Sequence, residues 1–330
     1  MSRCAHRNTA SPSDQGAGHC VIVGRVTPDS TPAARRFRPW RLRISVALGV
    51  VLVAAFVLCA LLAPLVTRLT GFDPYDPSIP RSVVPPTPPD RDHLLGTDGL
   101  GRDQLSRLIY GARISLEVGL VAELIAVVLG VALGALAGYA GGRIDAVVMR
   151  AADLVFAFPQ SLLALAIIAA IPEPESAPLL RHLPHPSVGV VFLVLGGFGW
   201  AQIARLVRGE LLRIREQEYA QAAEAMGAHG VRVVALHLLP NALGPLIVAA
   251  TIGIGANILM EAWLSFLGVG ARPPLPSWGT MVTEGQPYFL SKPWVAAAPG
   301  VAILLVVVGF NLLGDGVRDL LDPRRRTLVA

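Results

Sequence analysis

The chain has 330 residues, of which 53% are hydrophobic and only 15% charged. Soluble domains carry about 25% charged residues, so the deficit excludes an ordinary water-soluble domain and points to lipid as the solvent. The net charge of +5 does not mark a nucleic-acid partner, because the arginines sit beside apolar runs, where they set membrane topology.

Residues 1–40 are rich in Ser, Thr, Pro, Ala and Arg without sustained periodicity, which predicts a disordered cytoplasmic tail. Residues 41–66 form the first predicted membrane helix, with the apolar run Ile44 to Val66 at its centre. That run is too long for a signal-peptide core and follows too long a tail, so it is read as a retained span. Phe-Val-Leu precedes Cys59 and lacks the small residue of a lipoprotein cleavage site. Residues 67–110 are an expected extracytoplasmic loop. Pro74, Pro77, Pro80, Pro85, Pro86, Pro88 and Pro89 predict an extended, irregular path there. Within Gly96–Asp103, Asp98 is expected to cap the next helix, with glycines in the turn. This stretch lacks the order of a nucleotide-binding P-loop, and the only lysine, Lys292, lies in another outer loop. The chain therefore has no means of its own to hydrolyse ATP by that route.

Residues 111–318 hold five further spans, near Leu116–Tyr139, Pro159–Ile171, Val188–Val207, Leu243–Leu267 and Trp294–Leu313. Spanning takes about 20 apolar residues. The third is weakest: Pro159 divides it into a helical approach from Ile144 and a short crossing. The fold class is thus all-α and polytopic, with six spans and both termini on one side. Arg35, Arg36, Arg38, Arg41 and Arg43, then Arg143 and Arg150, flank that side. Arg205, Arg208, Arg213, Arg215, Arg232, Arg318, Arg324, Arg325 and Arg326 join them, whereas the short loops opposite hold only Arg181, Arg272 and Lys292. The termini are therefore expected in the cytoplasm, with residues 319–330 as a second tail. The 3 cysteines show no metal-like spacing, and His182 with His185 alone is a poor metal site, so no cofactor is predicted.

Glu123, Asn257, Glu261 and Asn311 are polar positions in or near spans and should face protein or a water-filled path. Glu261 lies ~30 Å along the helix from Pro240. It and Asn257 are candidates for the path or for contact with a neighbouring subunit; Glu123 receives no role. Helical spacing predicts local ion pairs among Asp145, Arg150 and Asp153, and among Asp315, Arg318 and Asp322. Trp278, Tyr288, Phe289 and Trp294 fit an interfacial aromatic belt, with a docking surface for a substrate-delivery protein over Pro273–Tyr288 as the alternative.

The basic loop 208–240 contains the stretch EYAQAAEAMGAHGVRVVALHLLP, Glu218 to Pro240. Tyr219, Ala222, Ala223 and Met226 share one helical face, whose two alanines allow another surface close. Gly227 suits a helix stop. A second short helix begins near Gly230, with Val231, Val234, Ala235 and Leu238 on one face. Pro240 suits the first turn of the fifth span. Periodicity alone leaves open an amphipathic connector lying on the membrane.

The order Ala-Ala, three residues, Gly, nine residues, x-x-Leu-Pro resembles the EAA motif of the membrane subunits of bacterial ABC importers. The resemblance makes Glu218–Gly230 a coupling helix that docks on an ATP-hydrolysing partner. The coupling residues it implies are Glu218, Tyr219, Gln221, Ala222, Ala223, Met226, Gly227, Gly230, His237, Leu239 and Pro240. Gln221 replaces the motif's glutamate, and the ending His237, Leu239, Pro240, Asn241 is similar to the peptide-importer branch. Leu94–Leu120, GGRIDAVVMRAADLVFAFP, EAWLSFLGVG, PSWGTM and NLLGDGVRDLLDPRRR resemble the C-type permease of dipeptide and oligopeptide importers, covering roughly Leu94 to Arg326. The type I importer permease fold follows from that resemblance. So do a bacterial inner-membrane location and a B-type permease as heterodimer partner. Two ATPase subunits and an extracytoplasmic binding protein complete the implied assembly. Very similar permeases carry nickel chelates, glutathione or other small solutes, so the cargo stays open. A channel or ion-driven transporter is the minor alternative. A membrane protease would need a GxSxG serine, HExxH or paired aspartates in a span, and the sequence shows none.

Overall fold

A computed structural model describes residues 39–80, 82–171, 185–218, 221–222, 226 and 239–321. Nearly all of the predicted first tail and most of the last lie outside the described residues, as does His182. Regular structure among the described residues is helical, apart from one isolated bridge between Thr97 and Asp103. The helices are α1 (Pro39–Thr70), α2 (Gln104–Ala140), α3 (Gly142–Phe156), α4 (Gln160–Ala169), α5 (Pro186–Arg215), α6 (Leu239–Phe266), α7 (Trp278–Gly285) and α8 (Trp294–Leu321).

Five of these, α1, α2, α5, α6 and α8, are long and apolar enough to cross a membrane. The pair α3 and α4 is bent by 81° at the break before Pro159, as the sequence predicts for the third span. Proline at that point removes a backbone donor and disfavours helix in the preceding residue.

Packing fixes the direction of each helix. Ala122 of α2 meets Gly196 of α5, Gly130 meets Ile203, and Gly138 meets Leu211. Residue numbers rise together, so α2 and α5 run parallel, and the chain between them must return across the bundle. That return makes the bent pair part of a sixth crossing. The contacts Gly119–Ile258 and Glu123–Gly253 make α6 antiparallel to α2, Gly255–Phe310 and Ile252–Gly314 make it antiparallel to α8, and Val46–Gly316 and Val53–Gly309 make α1 antiparallel to α8. Pro39 and Leu321 consequently lie at the same end, with Arg213, Arg215 and Pro240; we term it the basic end. The loop Gly71–Asp103 and helix α7 cover the opposite, capped end.

The α2–α5 seam is built from small residues. Ala122, Ala126, Gly130, Gly134 and Gly138 recur every fourth residue and form one ridge of α2. A Cβ at Gly134 would lie 2.5 Å from the Ala204 carbonyl oxygen and 2.9 Å from its Cα. Lipid tails are as apolar as the helices, so span association depends on such close backbone approach rather than on the hydrophobic effect. Around this seam Val118, Leu195, Ile203, Val207 and Leu211 are buried.

Gly134→Ala is expected to destabilise the chain by about 1–3 kcal/mol, because the added methyl meets backbone that no rotamer change can move. Gly209, on the partner helix α5, has open space at its Cβ position and serves as the control. Thermal unfolding in detergent should show a lower midpoint for Gly134→Ala and an equal or higher one for Gly209→Ala; equal midpoints for Gly134→Ala and the parent chain would contradict the seam.

Candidate functional site

At the capped end the proline-rich loop is irregular, as expected, but tightly tied. Asp98 accepts the backbone N–H groups of Leu100 and Arg102 at 2.9 and 3.0 Å, so it makes the turn rather than capping the helix. The cap is Asp103, which accepts the Ser106 N–H at 2.7 Å and meets His93 Nδ1 at 2.9 Å. Gly101, at φ +80°, supplies the left-handed residue the turn needs. Arg102 Nε donates to Asp98 at 2.7 Å, while Arg102 and Arg107 both donate to Glu284 of α7, at 2.8 and 2.7 Å. Two buried guanidinium groups and two carboxylates thus join the loop, α2 and α7.

Glu261 belongs to the junction beneath. It is 1% exposed, receives Ser265 Oγ at 2.6 Å and faces Ser115 Oγ of α2 at 3.5 Å. Ser115 Oγ accepts the Trp278 N–H at 3.3 Å, and a Ser277–Thr280 capping box starts α7 at that point. Trp278 is therefore not in an interfacial belt. It is 1% exposed, donates Nε1 to the Leu108 carbonyl at 2.9 Å and packs edge-on against Phe56. The cap turns it inward, whereas Phe289 is exposed.

At the basic end, Asp145 and Asp153 do not pair locally. Arg208 reaches Asp145, with Nη2 at 2.6 Å, and Arg205 reaches Asp153, so both bonds tie α3 to α5. Arg205 also lies 4.1 Å over the Phe156 ring. Asp315 and Arg318 form no ion pair with each other among the described residues, and Asp322 lies outside them. Of the predicted coupling residues, Glu218, Gln221, Ala222 and Met226 are exposed, and Met226 is 84% exposed. Backbone bonds Gln221 N to Gln217 O and Met226 N to Ala222 O follow helical i to i−4 spacing. Tyr219, Ala223, Gly227, Gly230 and His237 lie outside the described residues. Leu239 and Pro240 open α6, with Pro240 in its first turn.

Between these ends lies a cavity of about 970 Å³ among α2, α4, α5, α6 and α8. It runs from Pro240, Asn241 and Arg318 at the basic end to Glu123 and Asn257 in mid-bundle. Asn257 Nδ2 donates to Glu123 Oε2 at 2.9 Å. Glu261, one turn beyond Asn257, does not line the cavity. Sequence reading assigned Glu123 no role; the signal available was a lone carboxylate in mid-span.

Residues 130–327 match the family model described as binding-protein-dependent transport system inner membrane component. The chain is 35% identical over 321 residues to an oligopeptide transport system permease protein of Bacillus subtilis, covering 97% of this chain and 98% of that one. It is 38% identical to a dipeptide transport system permease protein of Alkalihalophilus pseudofirmus, over 84% of this chain and 86% of the relative. It is 40% identical to a glutathione transport system permease protein of Pectobacterium atrosepticum, over 72% and 75%. Among solved structures, an amino acid ABC transporter with histidines shares the fold, at TM-score 0.50 and 14% identity, over 66% of this chain and 95% of that one.

Removing Glu284 would leave Arg102 and Arg107 to share Asp98 alone. Glu284→Ala is expected to cost ~3 kcal/mol, at the low end for a broken buried pair because Glu284 is partly exposed. A clearly lowered unfolding midpoint in detergent is the expected result; an unchanged one would show that the cluster does not hold the cap.

Proposed function

The chain belongs to the family of binding-protein-dependent transport system inner membrane components, and on that premise we propose that it is the permease subunit of an ABC importer for short peptides. The observation that carries the cargo class is the end-to-end match to the Bacillus subtilis oligopeptide permease, over 97% of this chain. The glutathione permease, at 40% identity, favours one neighbouring reading, in which the cargo is a small peptide-like thiol.

In this reading the chain is not an enzyme. It supplies half of the translocation path, and a related B-type permease supplies the other half. Two ATP-binding cassette subunits hydrolyse the nucleotide, and an extracytoplasmic binding protein delivers cargo at the capped end. The basic end faces the cytoplasm, because the Arg-rich flanks gather there. The stretch Glu218–Gly230 docks in the ATPase, Ala222 and Ala223 allowing close approach and exposed Met226 adding apolar contact.

Transport then follows alternating access. ATPase closure biases a bundle with two arrangements, and it does so because the docked loop is held differently in each. The cavity supports this reading: it reaches from the basic end to mid-bundle, and the packed Glu261 junction lies beyond it. Such a shape is that of a path open toward the cytoplasm and shut toward the binding protein.

The direct test is purification of the tagged chain from its native membrane in mild detergent, with mass spectrometry of what accompanies it. Co-purification of a P-loop ATPase and a second six-span permease in comparable amounts is expected. Recovery of the chain alone, or as a homo-oligomer, would overturn the importer reading in favour of a channel. Within the loop, Ala223→Glu or Gly227→Asp should leave the protein in the membrane but abolish uptake and weaken ATPase binding. Normal uptake by a well-expressed Ala223→Glu variant would refute the coupling role.

A further inference from the structure

Among the described residues, the other buried carboxylates are each met by more than one donor. Asp98 has Arg102, Arg107 and two backbone N–H groups; Asp103 has His93 and the Ser106 N–H; Glu261 has two serine hydroxyls. Glu123 differs. It sits in the middle of α2, is 7% exposed, and receives one hydrogen bond, from Asn257. An ionised carboxylate in mid-span is costly, and one neutral donor does not offset a full charge.

The seat of this carboxylate is shaped for it. Gly253 of α6 lies directly beneath, and a Cβ at that position would overlap the carboxyl carbon and both oxygens. Glu123 and Asn257 together line the cavity, with Gln202 nearby and apolar walls from Ile203, Ile252 and Ala256. Asn257 spends an N–H on Glu123 and keeps its carbonyl oxygen as an acceptor. The second carboxylate oxygen and that carbonyl are two acceptors in one apolar chamber. The arginines lining the cavity do not answer them. Arg213 bonds Glu210 at 2.8–2.9 Å, and Arg318, about six residues or ~9 Å nearer the basic end along the helices, forms no ion pair with Glu123.

We propose that Glu123, seated over Gly253 and oriented by Asn257, binds the ammonium group of the transported peptide midway along the path. This rests on the peptide-permease reading and names a cargo group that the reading leaves open. An ammonium carries one positive charge and three donors, which suits one carboxylate and neighbouring neutral acceptors. Calcium and magnesium take six or more oxygens and zinc four ligands, and among the described residues no group of three or more acidic, His or Cys side chains is placed to hold one. A single carboxylate with neutral neighbours is also a weak site. A path requires that, because cargo must leave as well as enter.

The test uses the intact complex, with its partner permease, ATPases and binding protein, in liposomes. The probe is radiolabelled trialanine with a free amino terminus, and both uptake and ATP hydrolysis are measured. Glu123→Gln keeps the shape and can still accept the Asn257 bond, so it removes the charge alone. Trialanine imported per ATP hydrolysed is expected to fall about tenfold in Glu123→Gln and in Gly253→Leu, whose side chain displaces the carboxylate, and to recover substantially in Glu123→Asp. An unchanged ratio in Glu123→Gln would overturn the inference, whether uptake and hydrolysis both stay normal or fall together as they would from a structural defect. No uptake of trialanine by the parent complex would overturn the peptide reading itself, and this inference with it.

Discussion

The backbone contact between α2 and α5 is the constraint from which the rest of the arrangement follows. Two spans can lie this close only where one presents almost no side chain, and the four-residue repeat from Ala122 to Gly138 provides that along about four and a half turns. Because the two helices run parallel, the chain between them has to cross back. The repeat also sets what faces elsewhere. Glu123 follows Ala122 by one position, or 100° around the helix, and so turns off the seam toward α6 and the cavity. Gly119 turns the same way and lets Ile258 close against α2.

The two ends of the bundle are held by different chemistry. At the capped end buried charges are balanced against one another: Arg102 and Arg107 against Asp98 and Glu284, with Asp103 as helix cap. Breaking such a set is costly because each member is left without water. At the basic end the pairs are more open. Arg205–Asp153 and Arg208–Asp145 join α3 to α5 with their side chains partly in solvent, where ion pairs are individually weak. A firm cap and looser ties opposite make the basic end the easier one to rearrange.

Much of this was legible in the sequence. Hydropathy located the spans, and Pro159 located the break in the third, because both signals are local. Positions that depend on a partner far along the chain were not legible. Asp98 and Asp103 both precede a helix with glycines nearby; Asp98 takes the turn's N–H groups and shares Arg102 and Arg107 with the distant Glu284, which leaves Asp103 as the cap. Asp145 and Asp153 have arginine at local spacing, yet their partners arrive from α5, more than fifty residues on. Trp278 has the composition of a belt residue, but the Ser277 cap aims it inward. The small-residue repeat was present in plain letters, but it lies inside an apolar run, where a hydropathy reading does not separate glycine from leucine by face. The role of Glu123 needed α6 in place before the carboxylate had a seat. The coupling stretch was readable only through its resemblance to other permeases.

The first helix stands apart from this economy. Only 11% of its most apolar window is buried. It leans on α8 at Gly49, Gly309 and Gly316, with Phe56 touching Trp278, while most of that window stays exposed. An element held along α8 and against α2, with one aromatic contact to the cap, contributes nothing to the α2–α5 seam or to the lining of the cavity. A change on the exposed side of the leading helix is thereby insulated from the interior, so this outer rim can vary while the seam and the cavity keep their packing.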